Sequence, residues 1–269
     1  MADQSNQSKL SELFVRCKAE NRAALIGYLP AGFPNQSDSI KIIKAMIDGG
    51  VDAVEIGFPY SDPVMDGPVI QEAAELARKN GITMAKTLEI VQEISATDIP
   101  TLLMTYWNPI ERYGAEKFAK DFSGQGMEGV ITPDLPVEEA GQWLGAAKTN
   151  SIHTIFVVAP STGDERLNFV ASSCSGFIYA ASSMGVTGVQ SNVANTASTL
   201  VERVRRISDT PVAVGLGVSN RAQASEVAKF ADGVIVGSAF VKAVLQNPSD
   251  PVTAVRKVAE ELALGVRER

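Results

Sequence analysis

The sequence predicts one domain, residues 1–269, folded as an α/β (β/α)8 TIM barrel with an extra N-terminal helix. Eight short apolar runs alternate with helix-length amphipathic stretches along the chain. The runs lack a clean polar alternation, which is typical of parallel strands covered on both faces. No Pro/Ser-rich linker divides the chain, and barrels of this kind need roughly 250 residues. A doubly wound sheet is the main alternative, but no G-x-G-x-x-G motif follows the first run.

The elements can be placed in order along the chain. Leu10, Leu13, Phe14 and Cys17 recur at helical spacing and predict the N-terminal helix. The eight predicted strands are 24–29, 53–57, 100–106, 129–132, 153–158, 176–180, 211–216 and 232–237. Strand–helix alternation repeated eight times favours a closed barrel over an open sheet.

The stretches between the strands carry helix signals. Ser37 and Asp38 predict the N-terminal cap of one helix, which a Gly-Gly pair then ends. Pro136, followed by acidic residues, predicts the start of another. Valines and a leucine form one apolar stripe in the last segment, 252–262.

Composition excludes several classes of function. The net charge of −7 and pI near 4.9 argue against nucleic acid as a main partner. The N-terminus lacks an apolar signal region and no stretch is long enough to span a membrane, so we expect a cytoplasmic protein. His153 is the only histidine and the two cysteines have no metal-ligand spacing, so we expect no metal site.

A carboxylate inside an apolar strand is the strongest sign of chemistry. Glu55 lies within the second predicted strand, and Asp66 follows in a loop rich in proline and glycine. Burying such a carboxylate is costly unless it is paired or used, and burial raises its pKa toward a range suited to proton transfer. On this stretch alone, a structural ion pair and a catalytic role are equally good interpretations.

Barrel enzymes carry their active sites on the loops that follow the strands. Tyr179 lies in the sixth predicted strand, before a Gly/Ser/Thr-rich connection, 181–196, that we expect to act as a lid. The loops after strands seven and eight contain Gly217, Gly237 and Ser238. Glycine N–H groups and a helix N-terminus there favour a phosphate site, with Ser238 as the predicted cap.

An apolar, aromatic segment follows the third predicted strand. It reads Trp107, Asn108, Pro109 and Ile110, and we expect it in a loop on the same face as the active site. Local packing and a docking surface for a partner are both open interpretations of such a segment.

Six motifs in one order resemble the α subunits of tryptophan synthase over nearly the whole chain. They are VEIGFPYSDPVMDGP, LLMTYWNP, ITPDLPVEE, GFIYAASSMGVTG, VAVGLGVS and GVIVGSAFVK. The resemblance implies cofactor-free retro-aldol cleavage of indole-3-glycerol phosphate to indole and glyceraldehyde 3-phosphate, in the final steps of L-tryptophan biosynthesis. It implies that Glu55 is the acid/base that protonates indole C3, and that Asp66 holds the indole N–H and the positive charge.

The resemblance also implies binding and partner residues. It makes Tyr179 an active-site tyrosine and Thr187 a lid threonine that reaches Asp66. The implied phosphate-binding positions are Gly188, Gly217, Gly237 and Ser238, and the implied indole-pocket residues are Tyr28 and Met104. Trp107, Asn108, Pro109, Asp134 and Pro136 would contact a β subunit in an α2β2 assembly. Pyridoxal phosphate would belong to that β subunit, with no cofactor in this chain.

Three other functions are compatible with a barrel of this size. A different phosphate-binding barrel, such as an isomerase or a cyclase, would lean on a lysine or on differently placed carboxylates. No lysine closes any of the eight predicted strands, which counts against a Schiff-base aldolase. A non-catalytic subunit would lack one carboxylate, yet both Glu55 and Asp66 are present. A stand-alone lyase without a β partner is the remaining alternative.

Overall fold

Parallel strands alternate with helices throughout the molecule. The computed structural model describes residues 8–181 and 190–269, with side chains in the second range from residue 194. The strands are β1 Ala24–Pro30, β2 Ala53–Gly57, β3 Thr101–Met104, β4 Gly129–Ile131, β5 His153–Ile155, β6 Val157–Val158, β7 Ile178–Ala181, β8 Val212–Gly215 and β9 Gly233–Val236. The first helices are α1 Lys9–Ala19, α2 Gln36–Asp48, α3 Pro68–Lys79, α4 Met84–Ser95, α5 Trp107–Tyr113 and α6 Ala115–Ser123. After a 3-10 turn, Val137–Glu139, come α7 Gly141–Thr149, α8 Asp164–Ser173, α9 Gln190–Arg205, α10 Arg221–Ala228, α11 Ser238–Gln246 and α12 Pro251–Arg267.

The strands form one parallel sheet in the order β5-β4-β3-β2-β1-β9-β8-β7-β6. The fifth predicted strand is divided at Phe156: its first part, β5, pairs with β4, and its second part, β6, pairs with β7. Because β5 and β6 are consecutive along the chain, this change of partner brings the two edges of the sheet together. The predicted barrel is confirmed, with its fifth strand split into two short pieces.

The N-terminal helix α1 covers one end of the barrel. Its residues Leu10, Leu13, Phe14 and Cys17 are buried and join the cluster that fills the barrel interior. The ring of Phe14 lies 5.8 Å from that of Phe177, just before β7. Contacts near the start of the strands therefore place α1 at the N-terminal end of the barrel, which confirms the extra helix.

Polar contacts hold α1 in this position. The Ser8 hydroxyl accepts a hydrogen bond from the Ser11 N–H and lies 2.8 Å from His153 Nε2. The Glu128 carboxylate accepts from the Leu10 N–H at 2.9 Å. His153 thus lies at the end of the barrel opposite the strand C-termini, away from the loops that carry active sites in barrel enzymes.

Two helix starts differ from the sequence prediction. Helix α2 begins at Gln36, because the Asn35 side chain accepts a hydrogen bond from the Asp38 N–H and so acts as the cap predicted for Ser37 and Asp38. Pro136 does not open a continuous helix. A 3-10 turn follows it, and α7 starts only after Ala140, whose ψ of 4° interrupts the helix. Within the described part of the chain, none of the helices is long and apolar enough to cross a membrane.

A buried ion pair joins the chain segments at the N-terminal end of the barrel. Arg22 Nη1 and Nη2 donate to the two carboxylate oxygens of Asp52 at 2.8 and 3.0 Å. The same carboxylate accepts from the Leu25 N–H at 2.9 Å. Both side chains are only 8% exposed, so removing one partner leaves the other charge buried with reduced compensation.

We expect Asp52→Asn to lower the free energy of unfolding by about 3 kcal/mol, because the buried guanidinium of Arg22 loses its main counter-charge. The matched control is Asp48→Asn, which breaks the exposed pair between Asp48 and Arg256 and should cost no more than about 1 kcal/mol. Urea unfolding followed by circular dichroism measures both. Equal losses in the two variants would contradict a structural role for the buried pair.

Candidate active site

Glu55 points into the barrel from β2. Side chains alternate along a strand, and Ala53, two residues earlier, belongs to the interior cluster. The Glu55 side chain therefore lies above that cluster, at the C-terminal end of the barrel. The residue is 1% exposed, and no described residue hydrogen-bonds its Oε2 atom. Burial, together with the negative charge of Asp66, raises the pKa of Glu55 to about 8.

Asp66 lies in the irregular segment between β2 and α3. Its carboxylate is half-buried and accepts a hydrogen bond from the Tyr106 hydroxyl at 3.4 Å. Burial raises the pKa of Asp66, and the Tyr106 hydrogen bond opposes that rise. Among the described residues, Asp66 thus has a donor that favours its ionised form, whereas Glu55 Oε2 has none.

Two tyrosines lie against glycines at the mouth of the barrel. Tyr28 on β1 is the strand partner of Glu55 on β2. Its ring covers Gly57, where a Cβ atom would lie 2.2 Å from the Tyr28 hydroxyl oxygen. A Cβ atom at Gly215 would lie 2.4 Å from the Tyr179 hydroxyl oxygen. Both glycines are required because any side chain would displace a ring.

The two carboxylates also act on these rings electrostatically. Burial raises the pKa of Tyr28 and of Tyr179 well above the ordinary value, and the negative charges of Glu55 and Asp66 raise both further. The structure therefore brings the four groups into one cluster in which both phenols stay neutral. Met104, at the end of β3, pairs with Gly57 and packs against the interior cluster from the same side.

The loops after β8 and β9 lie next to each other. Gly215 pairs with Ile235 across the two strands. Gly217 and Gly237 each lie two residues after one of these paired positions, so both glycines are at the same edge of the sheet. Gly217 has φ of +65°, a conformation that favours glycine. Gly237 is the N-cap of α11 and Ser238 is its first residue. The predicted capping role of Ser238 is therefore wrong: the residue before it, with no side chain, occupies the cap.

The N-terminus of α11 therefore has no side-chain cap among the described residues. The first N–H groups of α11 have no partner within the helix, and the N-cap supplies no side-chain acceptor. Such a terminus next to a glycine loop can bind an anion through backbone N–H groups and the helix dipole.

Part of the predicted lid is helical. Helix α9 runs from Gln190, so the last residues of the stretch 181–196 are not a loop. Ala181 ends β7. Thr187 and Gly188 lie outside the described residues.

The two segments predicted to face a partner meet in the structure. Trp107 starts the short helix α5 rather than a loop. Its backbone N–H donates to the Asp134 carboxylate at 2.8 Å. Asp134 therefore satisfies a helix N–H that the local sequence leaves without a cap. Asn108 is exposed, Pro136 is partly exposed and Pro109 is buried within the chain.

Tyr106 is absent from the site residues predicted from the sequence. It lies two residues after the end of β3, so the topology already places it at the mouth of the barrel, but its hydrogen bond to Asp66 spans 40 residues. No local pattern encodes such a contact. Among the described residues, no three His, Cys, Asp or Glu side chains gather in a group that could hold a metal ion.

Comparison with known proteins identifies the family. The family model for the tryptophan synthase alpha chain matches residues 14–267. The chain belongs to the tryptophan synthase alpha chain family. The alpha chain from Streptomyces coelicolor is 52% identical over 97% of this chain and 98% of its own length. The alpha chain from Mycobacterium ulcerans is 49% identical over 99% of this chain and 98% of its own length.

Solved structures agree with this membership. Tryptophan synthase from M. tuberculosis in its aminoacrylate-bound form is similar with a TM-score of 0.89 and 46% identity, covering 96% of this chain and 99% of that chain. The same organism's tryptophan synthase in space group F222 gives a TM-score of 0.91 at 48% identity, over 97% and 99%. Membership in the tryptophan synthase alpha chain family confirms the family, the barrel fold and the lyase class predicted from the sequence.

Proposed function

We propose that this member of the tryptophan synthase alpha chain family cleaves indole-3-glycerol phosphate to indole and glyceraldehyde 3-phosphate, using Glu55 and Asp66 and no cofactor. The observation that carries this proposal is the Glu55 carboxyl, which is buried at the mouth of the barrel and has a pKa of about 8. No described residue hydrogen-bonds its Oε2 atom. Such a group holds a proton near neutral pH and can give it to a substrate carbon.

The reaction needs two carboxyl groups in different protonation states. Protonated Glu55 gives its proton to indole C3, and positive charge develops on the ring nitrogen. Ionised Asp66 accepts the hydrogen bond of that N–H and stabilises the charge. Glu55, now ionised, takes the hydroxyl proton from the adjacent glycerol carbon as the C–C bond breaks. The bonding electrons return to the ring, and Glu55 is again protonated.

The different surroundings of the two groups support this division. Glu55 is fully enclosed and has no donor on one oxygen among the described residues, which favours the neutral acid. Asp66 is half-buried and receives the Tyr106 hydrogen bond, which favours the carboxylate. Tyr28, Met104 and Tyr179 would enclose the indole ring between them.

The phosphate would bind at the adjoining loops after β8 and β9. Gly217, Gly237 and Ser238 would supply backbone N–H groups, and the first turn of α11 would supply partial positive charge. We extend this site to Gly188, and we propose that Thr187 covers it by reaching Asp66.

We further propose that the chain, acting as one domain, binds a β subunit in an α2β2 assembly in the cytoplasm. The docking surface would contain Trp107, Asn108, Pro109, Asp134 and Pro136. The contact between Trp107 and Asp134 supports it, because it joins two segments distant in the chain into one surface. Pyridoxal phosphate would be held by the β subunit alone.

Indole release from indole-3-glycerol phosphate, followed with and without a tryptophan synthase β subunit, tests the activity and the partner together. Release by this chain with faster turnover in the presence of the β subunit supports both proposals. Release that no β subunit accelerates would favour a stand-alone lyase. No release under either condition would contradict the proposed function.

We expect kcat/KM for indole release to fall about tenfold per pH unit above pH 8. The pKa of Glu55 is about 8, and the group must be protonated before it can donate to C3, so activity is lost as the pH rises through this value. A pH profile of kcat/KM measures this decline above pH 8. The control is Glu128→Gln at the opposite end of the barrel, where burial also raises the pKa: its profile should match wild type. A flat profile to pH 9.5 would contradict the assignment.

A further inference from the structure

The hydroxyl of Tyr106 uses its full hydrogen-bonding capacity in one place. Its oxygen accepts from the N–H groups of Val64 and Met65, each at 3.1 Å. Its proton is donated to Asp66 Oδ2 at 3.4 Å. A phenol has one donor and two acceptor positions, so all three serve consecutive residues of one segment.

Few other contacts from the described residues hold that segment in place. The residues between β2 and α3 form no helix or strand. Val64 is 78% exposed and Met65 is 48% exposed, so burial of apolar side chains does not fix this turn. The carbonyl of Asp66 accepts from Gln71 Nε2 at 2.8 Å, which anchors the end nearest α3. The turn before Asp66 is bound through Tyr106.

Tyr106 is itself rigidly placed. The residue is 2% exposed, follows β3 and is the N-cap of α5. Its ring also stacks on that of Tyr60, which belongs to the same segment between β2 and α3, with 5.2 Å between centroids. The next residue, Trp107, donates its N–H to Asp134. The backbone of Tyr106 is thus held by β3 and by the hydrogen bond at Trp107, so its hydroxyl can fix the position of the groups it binds.

We propose that Tyr106 is a positioning residue that holds the 64–66 turn so that the Asp66 carboxylate faces the substrate ring beside Glu55. This inference rests on the proposed function for the role of Asp66. The hydrogen bond between Tyr106 and Asp66 is independent of that function. Tyr106 acts on the reaction through Asp66, by fixing where that carboxylate lies and by keeping it ionised.

We expect Tyr106→Phe to lower kcat/KM for indole release about 10- to 100-fold. The variant loses the hydroxyl that donates to the Asp66 carboxylate and accepts from the N–H groups of Val64 and Met65. The loss should lie mainly in kcat, because Asp66 serves the transition state. At low pH, kcat/KM falls as Asp66 becomes protonated, because Asp66 must be ionised to act; we call this decline the acidic limb. The Tyr106 hydrogen bond lowers the pKa of Asp66, so its loss should move the acidic limb to higher pH.

A second measurement needs no turnover. Amide hydrogen exchange at Val64 and Met65 should be faster in Tyr106→Phe, while urea unfolding stays near wild type. The matched control is Tyr113→Phe. Tyr113 also donates to a carboxylate, Asp121 Oδ2 at 2.7 Å, but on the outer helices, so its rate, pH profile and exchange should be unchanged.

The outcomes separate this inference from the proposed function. A Tyr106→Phe variant with wild-type rate, acidic limb and exchange would overturn the inference and leave the cleavage reaction intact. Faster exchange with an unmoved limb and rate would show a contact without a role in positioning, and also overturns it. A wild-type chain that releases no indole would contradict the proposed function, while the exchange data would still report the contact.

Discussion

Glu55→Gln is expected to lower kcat for indole release by about 10²- to 10⁴-fold, the range that a positioned general acid contributes. Glutamine keeps the size of the side chain but holds no proton acidic enough to transfer to carbon. Because the proton transfer precedes bond cleavage in the proposed mechanism, the loss should appear in kcat with little change in substrate binding. Steady-state indole release and isothermal titration with a substrate analogue measure the two parts.

The control for this prediction is Glu128→Gln. Glu128 is a partly buried glutamate directly before β4, and its partner is the Leu10 N–H at the N-terminal end of the barrel. An amide oxygen can still accept that hydrogen bond, so rate and fold should be retained. If Glu55→Gln kept most of its activity while folded, Glu55 would not be the acid.

Asp66→Asn is expected to lower kcat/KM for indole release by about 10²- to 10³-fold, the effect of removing one group that stabilises charge in a transition state. Asparagine retains an acceptor oxygen for the indole N–H but no negative charge, so the positive ring is left without its counter-charge. Single-turnover rates at saturating substrate isolate this step from product release.

Asp62→Asn is the matched control for Asp66→Asn. Asp62 lies in the same irregular segment, is exposed, and accepts a hydrogen bond from the neighbouring Ser61 hydroxyl at 2.5 Å. Its replacement should leave the rate of the isolated chain near wild type. Equal losses in both variants would point to disturbance of the loop as a whole and would contradict a charge-specific role for Asp66.

The barrel could be predicted because it depends on patterns within short windows. Apolar runs without alternation and helix-length stretches between them predict eight parallel strands, and the structure contains all eight, the fifth as two pieces. The break at Phe156 could not be predicted. It arises because the chain changes pairing partner there, from β4 to β7, and only the closed sheet creates that requirement.

The candidate site divides in the same way. Glu55 stands out because an acidic residue interrupts an apolar strand, and that signal is local. The hydrogen bonds of Tyr106 and of Asp134 are not local: they join residues 40 and 27 positions apart. The N-cap at Gly237 was also missed, since a cap without a side chain leaves no chemical signature beside a serine that could serve.

The burial of Glu55 makes the conformational stability of the barrel depend on pH. Burial, together with the negative charge of Asp66, raises the pKa of this carboxyl to about 8 in the folded chain, against an ordinary value of 4.5. The folded state therefore holds its proton more tightly than the unfolded state does, so stability declines as the pH rises from about 4.5 to about 8. A neutral side chain at position 55 would escape this loss. Selection of variants for thermal resistance alone would therefore favour replacing the one residue whose proton the proposed reaction needs.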